Sequence, residues 1–334
     1  GPVVGIPWSI STYEWAPFWF RIFRELKLKV LLSEQTTSSL VNQGLESVVS
    51  EPCFPIQAAH GHLRWLIDRN VDYILIPNYI AAPGDDPAVV DFYCPWNMTL
   101  PYVAQAAPFI SHYRDRIICP SLWFNHGDEE IVRSIHESLK KVGLNRNLTA
   151  VREAVMNGYN AQQAFRDAIQ EEGGRALATL ASHHEHGIVL LGRPYNIYDR
   201  GINLDVAHKL RTYYGANVIP LDFLNLEPYA EAQRAVHSNM FWGYGKKILA
   251  AATFVRNKPK LHIIYITNFK CGPDSYIKHF IAEASGRPYL TLQFDGHNND
   301  AGMLTRCEAY LDSKGVLRRW GTTQEEMAAG PSSR

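Results

Sequence analysis

Short runs of consecutive apolar, β-branched residues recur along this chain, separated by amphipathic stretches. The clearest are Val71-Asp72-Tyr73-Ile74-Leu75-Ile76-Pro77, Gly187-Ile188-Val189-Leu190-Leu191-Gly192 and Leu261-His262-Ile263-Ile264-Tyr265-Ile266-Thr267. A strand with one wet face alternates apolar and polar residues. A continuous run suits a strand covered on both faces, as in a parallel sheet. The pattern predicts strands at Val3–Ile6, 29–33, 71–77, 116–120, 187–192, 217–221, 261–267 and 289–295. Helices are expected at 18–27, 56–70, 203–214, 273–285 and 305–312. Strands alternating with helices define an α/β class. The expected architecture is two Rossmann-like, flavodoxin-like parallel-sheet domains joined by a helical segment.

The stretch from 128 to 184 breaks the alternation. It has no strand-like run and is rich in Ala, Arg, Glu and Gln. It reads as two or three helices bridging the two halves. The expected division is an N-terminal α/β domain over 1–127, a helical bridge over 128–186, a C-terminal α/β domain over 187–320 and a frayed tail over 321–334. No short-period repeat is visible.

The length of 334 residues fits two domains. Lys plus Arg and Asp plus Glu are both 33, so the formal charge is zero. That balance argues against a nucleic-acid protein, which neutralises phosphates with a basic excess. No apolar run approaches the ~20 residues of a membrane helix. The start, Gly1-Pro2-Val3-Val4, lacks the regions of a signal peptide and has no initiator methionine, so it reads as a processed or excised start. Five cysteines are too few, and odd in number, for a disulfide scaffold. A reducing, cytoplasmic setting is expected.

Four of those cysteines share a local grammar. Cys53-Phe54-Pro55, Cys94-Pro95, Cys119-Pro120 and Cys271-Gly272-Pro273 each place a proline one or two residues on. Proline ends strands and starts helices. Three of them, Cys53, Cys119 and Cys271, therefore belong at strand ends and helix starts, where open α/β sheets collect ligands and where a helix N-terminus favours a thiolate. Cys307 lies inside a helical pattern and reads as core. No Cys-x-x-Cys pair occurs, so zinc ribbons and bacterial ferredoxin runs are excluded. Spacing alone leaves two readings open: a shared metal site, or small buried hydrophobes.

Together these motifs resemble the 2-hydroxyacyl-CoA dehydratase-like family, in the branch associated with CoA-substrate-specific enzyme activases. The matching segments run nearly end to end. They include Gly5-Ile6-Pro7, Tyr13-Glu14, Cys53-Phe54-Pro55 leading to His60-Gly61-His62, Cys94-Pro95, Gly192-Arg193-Pro194-Tyr195-Asn196, Cys271-Gly272-Pro273-Asp274-Ser275 and Arg287-Pro288-Tyr289-Leu290. The resemblance implies an oxygen-sensitive iron–sulfur protein that receives low-potential electrons from an ATP-dependent activator, an ASKHA-type ATPase or its fused domains. It assigns the cluster ligands to Cys53, Cys94 and Cys271, with Cys119 a candidate fourth. Four thiolates would close a [4Fe–4S] cluster for electron transfer, whereas three would leave one iron open. A double-cubane [8Fe–9S] cluster shared with a partner chain is the alternative. Pro77-Asn78-Tyr79-Ile80 departs from relatives that carry a further cysteine here.

Neighbouring residues take supporting roles. His60 and His62 are two apart and do not share a helix face, so they are expected beside a cluster rather than on it. Arg193 offers a fork for a phosphate, a carboxylate or a structural ion pair. Asp274 and Ser275 read as caps of a helix start. His183-His184-Glu185-His186 reads as an exposed helix end, with zinc the lesser alternative. No Gly-x-Gly-x-x-Gly or Walker loop is present, which assigns ATP to the activator. Three functions follow: an electron-transfer or reductase component; a 2-hydroxyacyl-CoA dehydratase subunit with substrate on an open iron; and a non-catalytic interaction domain of a larger activase-type protein. Homodimerisation is compatible with each.

Overall fold

A computed structural model describes residues 1–83, 91–297 and 299–317, with Gln233 described by its backbone alone. The expected tail over 321–334 lies outside the described residues.

The N-terminal half runs β1 (Val3–Ile6), α1 (Thr12–Glu25), β2 (Lys29–Leu32), α2 (Ser38–Ser47), α3 (Phe54–Asp68), β3 (Tyr73–Leu75), β4 (Asn78–Ala81), α4 (Pro95–Ala106), β5 (Ile117–Ile118) and β6 (Ser121–Trp123). Two helices follow, α5 (Asp128–Lys141) and α6 (Leu148–Ser182). The C-terminal half runs β7 (Gly187–Leu191), α7 (Pro194–Tyr198), α8 (Arg200–Asn203), α9 (Val206–Tyr214), β8 (Asn217–Pro220), α10 (Ala230–Val236), α11 (Gly243–Arg256), β9 (Leu261–Asn268), α12 (Gly272–Ser285), β10 (Leu290–Phe294) and α13 (Asp300–Ser313).

Each half is built on a four-stranded parallel sheet. The orders are β2-β1-β3-β5 and β8-β7-β9-β10. All eight residues of β9 are buried, as are all five of β7, which is why both read as unbroken apolar runs. Helices flank the sheets, so the α/β class is observed directly. A third, two-stranded parallel ladder pairs β4 with β6. It is absent from the sequence reading because each run is short and follows a proline.

Helix α1 begins well before the expected position 18 and runs through Pro17. One missing N–H is outweighed by an apolar face in which Trp15, Phe18, Trp19, Ile22 and Phe23 are all buried. Helix α6 has 35 residues, a span of about 52 Å at ~1.5 Å per residue. Near its start, Gln162 donates to Glu14 O at 2.8 Å and accepts from Phe18 N at 3.3 Å. Farther along, Gly173 meets the backbone of Phe223, whose carbonyl oxygen would lie 1.8 Å from any Cβ there. One contiguous hydrophobic cluster threads both sheets.

Candidate functional site at the junction of the two sheets

In both halves the second-to-third strand step reverses direction across the sheet, and ligand crevices of open α/β sheets form at such switch points, beyond the carboxyl ends of the strands. Arg193 follows β7, Asn268 ends β9 and Cys271 follows it, so all three occupy the switch point of the C-terminal sheet. From the N-terminal half, Cys53 and Cys94 stand at the N-caps of α3 and α4, as Cys271 does for α12. Proline in the first turn of each helix fixes the chain direction there.

Arg193 is the common neighbour. Its side chain and that of Asp274 are each 1% exposed, with Nη2 to Oδ2 at 2.5 Å. Nη2 also donates to Asn268 Oδ1 at 3.1 Å and Nη1 to Tyr195 Oη at 2.8 Å. Thr267 Oγ1 donates to Asp274 Oδ2 at 2.7 Å. Asp274 therefore faces Arg193 and Thr267 instead of capping its helix, a correction to the expected capping role. Ser275 Oγ donates back to Cys271 O at 2.8 Å. The positive charge of Arg193 is felt by Cys53, Cys94 and Cys271 alike.

Burial is the larger influence on these thiols. It pushes Cys53 up to about 12 and raises Cys94 and Cys271, against the opposing pull of Arg193. In this arrangement burial favours the protonated thiol at all three. Cys119 is elsewhere. It ends β5 half-buried, its N–H donating to Ser138 Oγ at 2.7 Å, with burial raising its thiol to about 11 and Lys141 pulling it down. Cys307 is buried in α13 against Met303.

The histidines are structural. His60 Nδ1 donates to Ile56 O at 2.8 Å within its own helix. His62 is fully buried between Ser33 and Thr36, at 2.7 and 2.9 Å. Between them, Gly61 packs so tightly that a Cβ would lie 2.0 Å from Leu40 O, while Gly44 makes the reciprocal approach to Gln57 O at 2.1 Å. In the 183–186 tract His186 Nδ1 lies 2.8 Å from Nε2 of His262, and Glu185 accepts from Asn217 Nδ2 at 2.8 Å.

These positions overturn the iron–sulfur expectation. Among the described residues, no group of three or more His, Cys, Asp or Glu side chains is arranged to hold a metal ion. Cys53, Cys94 and Cys271 gather around a guanidinium already paired with Asp274, and Cys119 does not join them. A [4Fe–4S] cluster on these four thiols, or a double-cubane [8Fe–9S] cluster shared with a partner, does not fit this donor set. The electron-transfer role, the dehydratase role at an open iron and the oxygen sensitivity all rested on that cluster and fall with it.

Several participants escaped the sequence reading. Glu14 is a carboxylate on an otherwise aromatic helix face, and Asp199 precedes a glycine in a polar loop. Both positions were visible as anomalies, but the partners that tie them to the other half, Tyr244 for Glu14 and Thr36 for Asp199, lie more than 160 residues away. Among the described residues no helix is long and apolar enough to cross a membrane.

No curated protein matches the chain. Among solved structures, the C-terminal domain of glucosamine-fructose-6-phosphate aminotransferase from Francisella tularensis is similar over 94% of this chain and 83% of that chain, at 11% identity. Its TM-score is 0.25, too low to bear on fold or activity. The model of the CoA enzyme activase uncharacterised domain (DUF2229) matches residues 3–224, taking in the N-terminal sheet, the long bridging helix and the start of the C-terminal half. The chain belongs to this CoA enzyme activase-associated family.

Proposed function

We propose that this chain is a non-catalytic interaction domain of a CoA enzyme activase system, docking an ATP-dependent activator of the ASKHA type. The observation that carries this reading is the family match across residues 3–224. Arg193 bonds Asp274, Tyr195 and Asn268 within the C-terminal half, and buried thiols from both halves stand around it. Asn268 Nδ2 and Asp274 Oδ1 are buried there without a partner among the described residues.

On this reading 1–127 and 187–320 are Rossmann-like domains joined by the bridge over 128–186. The two strand orders match the flavodoxin-like sequence of strands without its last member, which supports that finer description. A cytoplasmic location belongs to the same proposal.

The test is sedimentation velocity of the full chain with a purified CoA enzyme activase ATPase, with ADP and with a non-hydrolysable ATP analogue. The expected result is a complex whose stability depends on the nucleotide and is indifferent to an iron chelator. Absence of a complex in both nucleotide states would overturn the proposal. The chain run alone reports whether it self-associates as a homodimer.

A further inference from the structure

A cleft of about 660 Å³ opens between α6, α10, α11 and residues 91–93, away from the thiols. That volume lies within the usual range for small-molecule sites. Its floor is Glu14, with a side chain 10% exposed. Lys247 Nζ donates to Glu14 Oε1 at 3.0 Å, and Tyr244 Oη donates to Oε2 at 2.8 Å. Tyr93 Oη adds a longer contact at 3.4 Å. Burial opposes the charge on Glu14, but Lys247 and Arg166 outweigh it and hold the carboxyl below its ordinary range. Glu14 is thus an ionised, already satisfied group.

Arg166 acts on Glu14 and Asp222 only at longer range. Its guanidinium lies 5.1 Å from the Trp15 ring and lines the cleft, and among the described residues it forms no ion pair. The other lining cations are matched: Lys247 by Glu14, Lys246 by Asp91 and Arg234 by Glu231. Two other carboxylates bear on the balance. Asp222 also interacts with Arg166, but burial pushes its carboxyl toward the neutral form. Glu227 sits on the exposed rim, where water screens it. Phe92, Leu226, Ala230 and Ala250 supply apolar lining to the same cleft.

We propose that this cleft binds an organic anion, an apolar chain ending in a carboxylate or phosphate, with Arg166 as the headgroup's partner and the apolar lining holding the chain. A guanidinium fork suits bidentate capture of either headgroup. Its test uses the chain alone and does not depend on partner binding.

The experiment is isothermal titration of the full chain with decanoate, decyl phosphate, decanol and decylamine, each below its micelle concentration. At least one of the two anions is expected to bind about tenfold or more tightly than both decanol and decylamine. The tighter anion identifies the headgroup. Arg166→Gln should lower its affinity to the decanol level. Ala230→Trp, at an exposed lining position, should abolish binding of all four ligands by filling the cleft. Decylamine binding as tightly as either anion would overturn the proposal. Unchanged anion affinity in a folded Arg166→Gln or Ala230→Trp protein would do the same.

Discussion

Thr36 Oγ1 donates a hydrogen bond to Asp199 Oδ2 at 2.6 Å, joining residues 163 positions apart and tying the N-terminal half to the C-terminal half. That one direction fixes several others. Since Thr36 spends its proton on Asp199, it must accept from His62 Nε2–H, and His62 Nδ1 must accept from Ser33. Ser33 in turn accepts from Trp8 N–H at 2.7 Å. The chain Trp8, Ser33, His62, Thr36, Asp199 is complete only with a neutral imidazole. Burial agrees, driving His62 down to about 3.

Stability therefore depends on pH through two opposed groups. His62 falls to about 3 from an unfolded value near 6.5, so the unfolded chain binds the extra proton between those limits and stability rises with pH there. Asp199 is raised to about 6, chiefly by burial, so the folded chain binds the extra proton between about 3.8 and 6 and stability falls with pH there. Asp199→Asn removes the second effect alone. Between pH 4 and 7 the variant should gain about 2–3 kcal/mol relative to wild type, whatever its absolute stability, at about 1.4 kcal/mol per pKa unit. Urea denaturation of both proteins across that range measures it. A constant difference would show that Asp199 does not titrate in this window.

The Arg193–Asp274 pair calls for a double-mutant cycle. Arg193→Met strands a buried carboxylate, and Asp274→Leu strands a buried guanidinium. Each single change should cost about 3–5 kcal/mol by denaturant unfolding. The double variant should cost less than the sum, because neither charge is then left alone. Additive losses would mean that the two side chains are not coupled.

Gly61 and Gly174 are both helical glycines with opposite expected behaviour. A methyl at Gly61 would drive α3 off the Leu40 carbonyl, whereas Gly174 faces open space. Gly61→Ala should cost ~1–3 kcal/mol, as overpacking does. Gly174→Ala should stabilise by about 0.5–1 kcal/mol through helix propensity. Thermal melts of the two variants decide it.

Native thiol reactivity should single out Cys119. The other four cysteines are buried and Cys119 is only half-buried. With a disulfide reagent at alkaline pH, one thiol should react before unfolding, slowly because its pKa lies near 11. Cys119→Ser should abolish that reaction. A second thiol reacting at the same rate would contradict the burial pattern.

The strands were legible because their burial on both faces writes itself into the sequence as unbroken apolar runs: β7 and β9 stand within a residue of where Gly187 to Gly192 and Leu261 to Thr267 place them. The placement of Cys53 and Cys271 at helix starts was equally legible, since proline in the first turn is a local signal, whereas the helix after Cys94 was not expected. Their chemistry was not. Whether a buried thiol is a ligand depends on what stands beside it, and Arg193 reaches Asp274 across 81 positions that no local pattern spans. Helix α2 was missed altogether, because Gly44 reads as a breaker until the close approach to α3 that requires it is seen. Thr36, the link to Asp199, lies beside that helix in a polar loop and carries no local signal of its role.

The most direct test of the claim that Cys53, Cys94 and Cys271 hold no iron–sulfur cluster is an anaerobic metal count. The full chain, purified without oxygen, should be colourless and contain neither stoichiometric iron nor acid-labile sulfide. About four iron atoms and matching sulfide per chain, with a cluster-type visible spectrum that is lost in Cys94→Ala, would contradict it.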